Sequence, residues 1–315
     1  MPTHLNNRRI FLTGALSGLI AGFVAFLFAR FMVEPFIQRS IDYEGARDVA
    51  QEAIEDALKA ASIPFPPPGP EVEVFSRGIQ RNIGIGVGMM AIGLAFGLLM
   101  AVAYRIILQI NQGNSTLSIR TTVLLIGLVG WLTVYVVPAL KYPANPPAIG
   151  HYFTINSRGN LYLVTVLASI LFMILATWAA RRMVAHWSTW TSVLVAIAGY
   201  VALMCILFAV LPNLGHLAQN QHFYGTEVTY GTGDDAVTLP IDTETPLPLK
   251  DATGNIVFPG FPADVLSRFR TYSMIAQAII WLGTGLIMGA LLGRGDKASR
   301  GRHATDELPK ASALA

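Results

Sequence analysis

Apolar residues dominate six runs of the chain, at 10–29, 83–104, 121–140, 161–180, 189–211 and 271–292, and polar residues collect between them. Each run approaches the ~20 residues that a helix needs to cross a hydrocarbon core. Backbone amides in hydrocarbon must find partners within their own segment, so helices are expected over strands. The pattern predicts an all-α membrane protein: a polytopic bundle of about six transmembrane helices with two long extracytoplasmic loops, 34–81 and 212–270. The first run follows Arg8 and Arg9. It is longer than the ~7–15 apolar residues of a signal peptide, so it reads as a retained helix.

The connections carry their own signals. Ala46, Val49, Ala53, Leu58 and Ala61 approximate one apolar face, which predicts an amphipathic helix over 42–61. The proline run 64–70 should end it and act as a stiff spacer. A Gly-, Thr-, Asp- and Pro-rich stretch over 225–259 suits turns and short strands. Residues 264–270 read as a short interfacial helix leading into the last span. Pro138 is expected to stop the third span, and 294–315 reads as a flexible cytoplasmic tail after a membrane domain of 1–293.

Composition agrees with the pattern. Of 315 residues, 53% are hydrophobic and only 13% charged, against about 25% charged in soluble domains. The net charge of +3 does not point to nucleic acid, because the basic residues are scattered between apolar runs. Arg105 and Arg120 in one short connection and Arg181 and Arg182 in another stand without an acid, and both termini are basic. Six spans with both ends in the cytoplasm place all four regions inside. Sixteen of the nineteen carboxylates then lie in the two long outer loops. The one cysteine, Cys205, excludes an internal disulfide.

Candidate chemistry is sparse. Gly14, Gly18 and Gly22 on the first helix, Gly84 and Gly88 on the second (with Gly93 and Gly97 beyond), and Gly285, Gly289 and Gly293 on the last recur every four residues. Such a groove lets helix backbones approach closely, as a packing face or an oligomer face. No Asp or Glu lies within the six spans, which argues against a self-contained carboxylate proton relay. Conduction would fall to backbone carbonyls, to hydroxyls such as Tyr135, Thr165 and Tyr200, or to soft atoms such as Met204 and Cys205. His216 and His222, followed by Asp234 and Asp235, form the best metal-ligating set, suited to a borderline divalent cation such as Co2+. His151 adds a ligand only if the loops fold together. There is no HExxH, nucleophile elbow, P-loop or strand-linked GxGxxG, so no enzyme activity and no bound cofactor are expected.

One stretch, Val137-Pro138-Ala139-Leu140-Lys141-Tyr142-Pro143-Ala144-Asn145-Pro146-Pro147-Ala148-Ile149-Gly150, is idiosyncratic beyond composition. It resembles the corresponding loop of the CbtA family, predicted cobalt transporter subunits of bacteria. The segment 75–81 and the segment 261–270, which includes Asp264, are similar to the same family. The resemblance implies cobalt uptake for cobalamin synthesis across the bacterial plasma membrane, with Co2+ as transported substrate. It also implies a small one-span partner, CbtB, bearing a histidine-rich end. The first outer loop of many relatives is histidine-rich. Here 34–81 has none, which shifts metal capture to His216, His222 and the partner. The competing reading is a non-transporting membrane scaffold that assembles through its glycine faces.

Overall fold

A computed structural model describes residues 6–64, 74–111, 117–230 and 236–306. Among these residues six helices are long and apolar enough to cross a membrane: Asn7–Ala60, Arg77–Ile110, Ile119–Lys141, Tyr152–Met183, Thr189–Tyr224 and Ala263–Arg294. The surface is inverted relative to a soluble protein. Leu167, Leu171, Ile174 and Trp178 of the fourth helix are exposed, while Ser17, Thr165, Ser169, Ser192 and Thr284 are fully buried. Without a hydrophobic drive between helices in lipid, close packing of small and hydroxyl-bearing residues takes over. The chain is an all-α polytopic membrane protein.

The elements run longer than the apolar pattern alone suggests. Helix α1 (Asn7–Phe28) passes through a π turn (Ala29–Val33) into α2 (Glu34–Ala60), so the expected amphipathic helix is a continuation of the first span. Helix α5 (Ile119–Trp131) likewise passes through a π turn (Leu132–Val136) into α6 (Val137–Lys141). Pro138 therefore does not stop the third span; the helix runs three residues past it. Both prolines, Pro35 and Pro138, sit in the first turn after a π turn. A proline in a helix has no N–H and crowds the carbonyl four residues back. That carbonyl belongs to Phe31 in one case and Val134 in the other, both within the widened turn, which removes the clash. The last helix, α10 (Ala263–Asp306), absorbs the expected interfacial helix and continues beyond residue 292. No proline stands between Pro262 and Pro309 to break it. The proline spacer at 65–70 lies outside the described residues.

Two compact units divide the chain. The first comprises 1–31, 75–132 and 274–315. It contains α1, a short turn α3 (Arg77–Ile79), α4 (Ile85–Ile110), α5 and most of α10. Its axis is the α1–α4 contact. A Cβ placed at Gly14 would sit 2.5 Å from the Gly97 carbonyl oxygen, one at Gly22 2.6 Å from that of Met89, and one at Gly18 would collide with that of Gly93. On α4 the groove is formed by Gly93 and Gly97, with Gly86 facing the Phe26 ring. Gly88 faces open space, and Gly84 meets only the nearby Ile79 carbonyl. Trp281 of α10 fills the equivalent groove on α5, its ring over Gly130 and its carbonyl against Gly127, and stacks on Phe96 at 4.3 Å. Asn6 and Ser118 cap α1 and α5 by accepting from the Arg9 and Thr121 amides, as Ser188 caps the helix Thr189–Val210 by accepting from the Thr191 amide.

The second unit comprises 32–74 and 133–273. Helices α7 (Ile155–Met183) and α8 (Thr189–Val210) pack together and are tied by a buried hydroxyl chain. Ser169 Oγ lies 2.7 Å from both the Thr133 carbonyl and the Tyr200 hydroxyl. Beyond them stand α9 (Ala218–Tyr224) and two antiparallel hairpins, β1 (Glu227–Tyr230) with β2 (Val237–Pro240) and β3 (Leu249–Lys250) with β4 (Ile256–Phe258). A core of Phe36, Tyr43, Ile149, Phe261 and Val265 holds the connections together.

Candidate functional site

In the second unit, His151, Arg158 and Asn220 converge on a buried carboxylate. Glu244 follows β2 in a threonine-rich stretch whose composition suggests solvent, yet its side chain is 0% exposed. Gly215 makes room for this loop: its N–H donates to the Asp242 carbonyl at 3.1 Å, and a Cβ there would strike the Ile241 carbonyl.

Three partners hold Glu244. Asn220 of α9 donates from Nδ2 to Oε1 at 2.7 Å, the His151 amide donates to Oε2 at 3.3 Å, and Arg158 Nε stands 3.3 Å from Oε2. The last is an ion pair without an aligned hydrogen bond, since Nε has no geometrically satisfied acceptor. The same guanidinium donates to the Ile149 and His151 carbonyls. Asn220 Nδ2 also donates to the Leu214 carbonyl, which leaves Asn220 Oδ1 as an acceptor 2.7 Å from His151 Nδ1. The network thus places the His151 proton on Nδ1. The imidazole lies flat between Phe153 (5.0 Å) and Tyr224 (4.6 Å).

Burial pushes the His151 pKa below the ordinary histidine value; the Asn220 and Glu244 contacts oppose this, and Arg158 and Arg47 reinforce it. An unfolded loop takes up a proton below about pH 6.5, whereas the folded loop keeps the ring neutral to lower pH. The stabilising contribution is therefore complete above that value and is lost as pH falls through the depressed one. Thermal unfolding in detergent should start earlier at pH 5.0 than at pH 7.5, and His151→Gln should shrink the difference. An unchanged pH difference in the variant would remove His151 as its source.

The residues singled out in the sequence fall at separate places. His216 Nε2 is 3.0 Å from Asp242 Oδ1, with both side chains about half exposed (45% and 48%). Asn213 donates to the same carboxylate oxygen at 2.9 Å and accepts from Lys141 Nζ at 2.7 Å. Lys141, Asn213, Asp242 and His216 thus form one polar chain, half-buried at Lys141 and Asn213 and exposed at Asp242 and His216. His222 sits edge-on to Phe223, and Asp234 and Asp235 lie outside the described residues. Among the described residues, no three His, Cys, Asp or Glu side chains cluster as a metal site. Met204 is buried and its neighbour Cys205 is exposed, so the two soft atoms do not converge.

The idiosyncratic stretch 137–150 acts as a staple. Tyr142 donates to the Pro212 carbonyl at 2.7 Å, Asn145 Oδ1 accepts from Arg270 at 2.7 Å, and the buried Pro146 accepts from the Ile149 amide at 3.3 Å. Pro143 is half-buried and Pro147 exposed in the same turn, which ends with Ala148 and Gly150 at positive φ. Asp264 stands exposed in the first turn of α10, where a carboxylate complements the helix dipole. Sequence reasoning missed Asn220, Asp242, Glu244 and Arg158. Each is an ordinary polar residue whose partner is distant in the chain, 93 residues away for Glu244 and the His151 amide.

A family model described as "Probable cobalt transporter subunit (CbtA)" matches residues 7–293. No curated protein and no solved structure matches the chain.

Proposed function

Since the chain belongs to the CbtA family of probable cobalt transporter subunits, we propose that it is the multi-pass membrane subunit of a bacterial importer that supplies Co2+ for cobalamin synthesis. The family match over nearly the whole chain carries this reading. A subunit implies an assembly, and the proposed partner is a small one-span CbtB-like protein with a histidine-rich end. The proposed membrane is the plasma membrane, with both termini cytoplasmic, as the arginines of 105–120 and 181–188 favour.

Capture on the outer face is assigned to His216 with Asp242 beside it, and to His222, Asp234 and Asp235 of the same connection. Imidazole nitrogen with carboxylate oxygen is a donor set suited to a borderline divalent cation. The His216–Asp242 pair is exposed enough to exchange its partner for an ion. Onward passage would use hydroxyls and carbonyls of the kind joined at Thr133, Ser169 and Tyr200, since the spans carry no carboxylate relay.

Cells lacking the gene should accumulate several-fold less cobalt under cobalt limitation, measured by mass spectrometry of washed cells. Complementation should restore it, and the His216→Ala/His222→Ala variant should restore only part. Equal accumulation with and without the gene sinks the transport reading. Full restoration by the double variant sinks the capture assignment alone.

A further inference from the structure

The first unit carries a lateral cavity to which the proposed capture site contributes no residue. It measures about 370 Å³ and lies between α5 and α10, lined by Arg120, Thr121 and Leu124 on one side and by Gly285, Leu286, Gly289, Ala290 and Arg294 on the other. Its size falls within the ~300–1,000 Å³ of small-ligand sites. We propose that this cavity binds one anionic phospholipid, with the phosphate held between Arg120 and Arg294 and the acyl chains running along Leu124 and Leu286.

Four observations carry this assignment. The cavity has a cationic end and an apolar body, which matches an amphiphile rather than a free anion. Arg120 is held in place: a Cβ at Gly289 would be 3.1 Å from its Cα and one at Gly293 3.1 Å from its Nε, so its stem lies along that groove. Neither Arg120 nor Arg294 has an ion pair or hydrogen bond among the described residues, although both are exposed. Among the described residues no carboxylate stands between these two guanidiniums on one rim, which suits the rim to an anionic partner. Leu286 is 60% exposed beside them, where a lipid tail runs along a spanning helix.

Basic pockets between spanning helices at a membrane surface are suited to anionic headgroups. Arginine serves phosphate well, through a planar fork that bonds two oxygens at once. Both arginines stand at the same end of the spans, the start of the third and the end of the sixth. Under the proposed orientation the lipid comes from the cytoplasmic leaflet, though the site itself does not depend on that orientation or on transport.

The test is native mass spectrometry of the full chain in mild detergent, titrated with phosphatidylglycerol and with phosphatidylcholine of identical acyl chains. Wild-type protein should bind one phosphatidylglycerol at least tenfold more tightly. At about a factor of five per basic residue near a charged membrane surface, R120Q/R294Q should weaken that binding roughly thirtyfold. Arg294→Gln alone should weaken it about fivefold, which keeps the test open should the double variant fold poorly. R181Q/R182Q, equally basic at another helix end, should change it less than twofold. Equal binding of the two lipids overturns the proposal, as does an unaffected double variant or an equal loss in R181Q/R182Q. Saturation by inorganic phosphate without lipid also overturns it, and so does a dimer that survives delipidation and is lost in R120Q/R294Q.

Discussion

Gly18→Ala should destabilise the first unit by about 3 kcal/mol, the upper part of the usual cost of overpacking. The added Cβ would collide with the Gly93 carbonyl oxygen and lie within 3.0 Å of the Gly97 Cα, all of it backbone. No side-chain rotation relieves such a clash, so α1 and α4 must part. Parting them loosens every contact along the seam, including the fully buried Ala25, Met100 and Ala101. Gly93→Ala and Gly97→Ala should cost similar amounts, because their Cβ atoms would meet the Gly18 and Gly14 carbonyls. Gly18→Ala combined with Gly93→Ala should cost less than the sum, since one separation relieves both. Gly88→Ala, with nothing within 4 Å of its Cβ, should be close to neutral. Thermal unfolding in one detergent at one lipid ratio ranks these variants. Equal midpoints for Gly18→Ala and Gly88→Ala would show that the close approach does not hold the unit together.

Glycine spacing made the existence of these seams readable, because four residues is nearly one helical turn and any repeat of it makes a stripe. Its phase on α4 was not readable. A stripe through Gly84 and Gly88 and one through Gly93 and Gly97 are equally regular in sequence, and only the partner helix selects between them. The spans were readable for a related reason: hydrocarbon imposes length and polarity on each segment independently of its neighbours. Pro138 was misjudged because the rule that proline ends a helix assumes regular turns. A π turn one step earlier lets the helix continue. The outer network stayed hidden because Glu244, Asn220 and His151 are brought together by loop closure rather than by spacing. A glutamate flanked by threonines in a polar stretch has no local mark of burial. The staple at 137–150 shows the converse. Its residues are conspicuous in sequence because they anchor two distant segments: Lys141 and Tyr142 hold Asn213 and Pro212, and Asn145 holds Arg270.

Glu244→Leu should loosen the outer connections by about 3 kcal/mol, the low end of the range for breaking a buried ion pair. The low end applies because Arg158 keeps 24% of its side chain exposed and can turn toward water. The substitution removes the only carboxylate facing that guanidinium among the described residues. It also orphans Asn220 Nδ2 of one partner and the His151 amide of its acceptor. Each unpaired buried donor costs about 1–3 kcal/mol. Glu244→Gln keeps the shape and one acceptor oxygen but turns two N–H groups toward donors, so it should fall between wild type and Glu244→Leu. The informative variant is the pair Glu244→Leu with Arg158→Met. Replacing both members of a buried ion pair with apolar residues is often tolerated where removing one is not. The double variant should therefore be more stable than Glu244→Leu alone, by about 1–2 kcal/mol on the same principle. Limited proteolysis of 212–262, read against thermal unfolding of the whole chain, separates loop opening from global loss. If Glu244→Leu leaves the loop as protected as wild type, the carboxylate is not what closes it. If the double variant is no better than the single, the ion pair is not the reason Glu244 is needed, and the Asn220 and His151 hydrogen bonds must carry the closure.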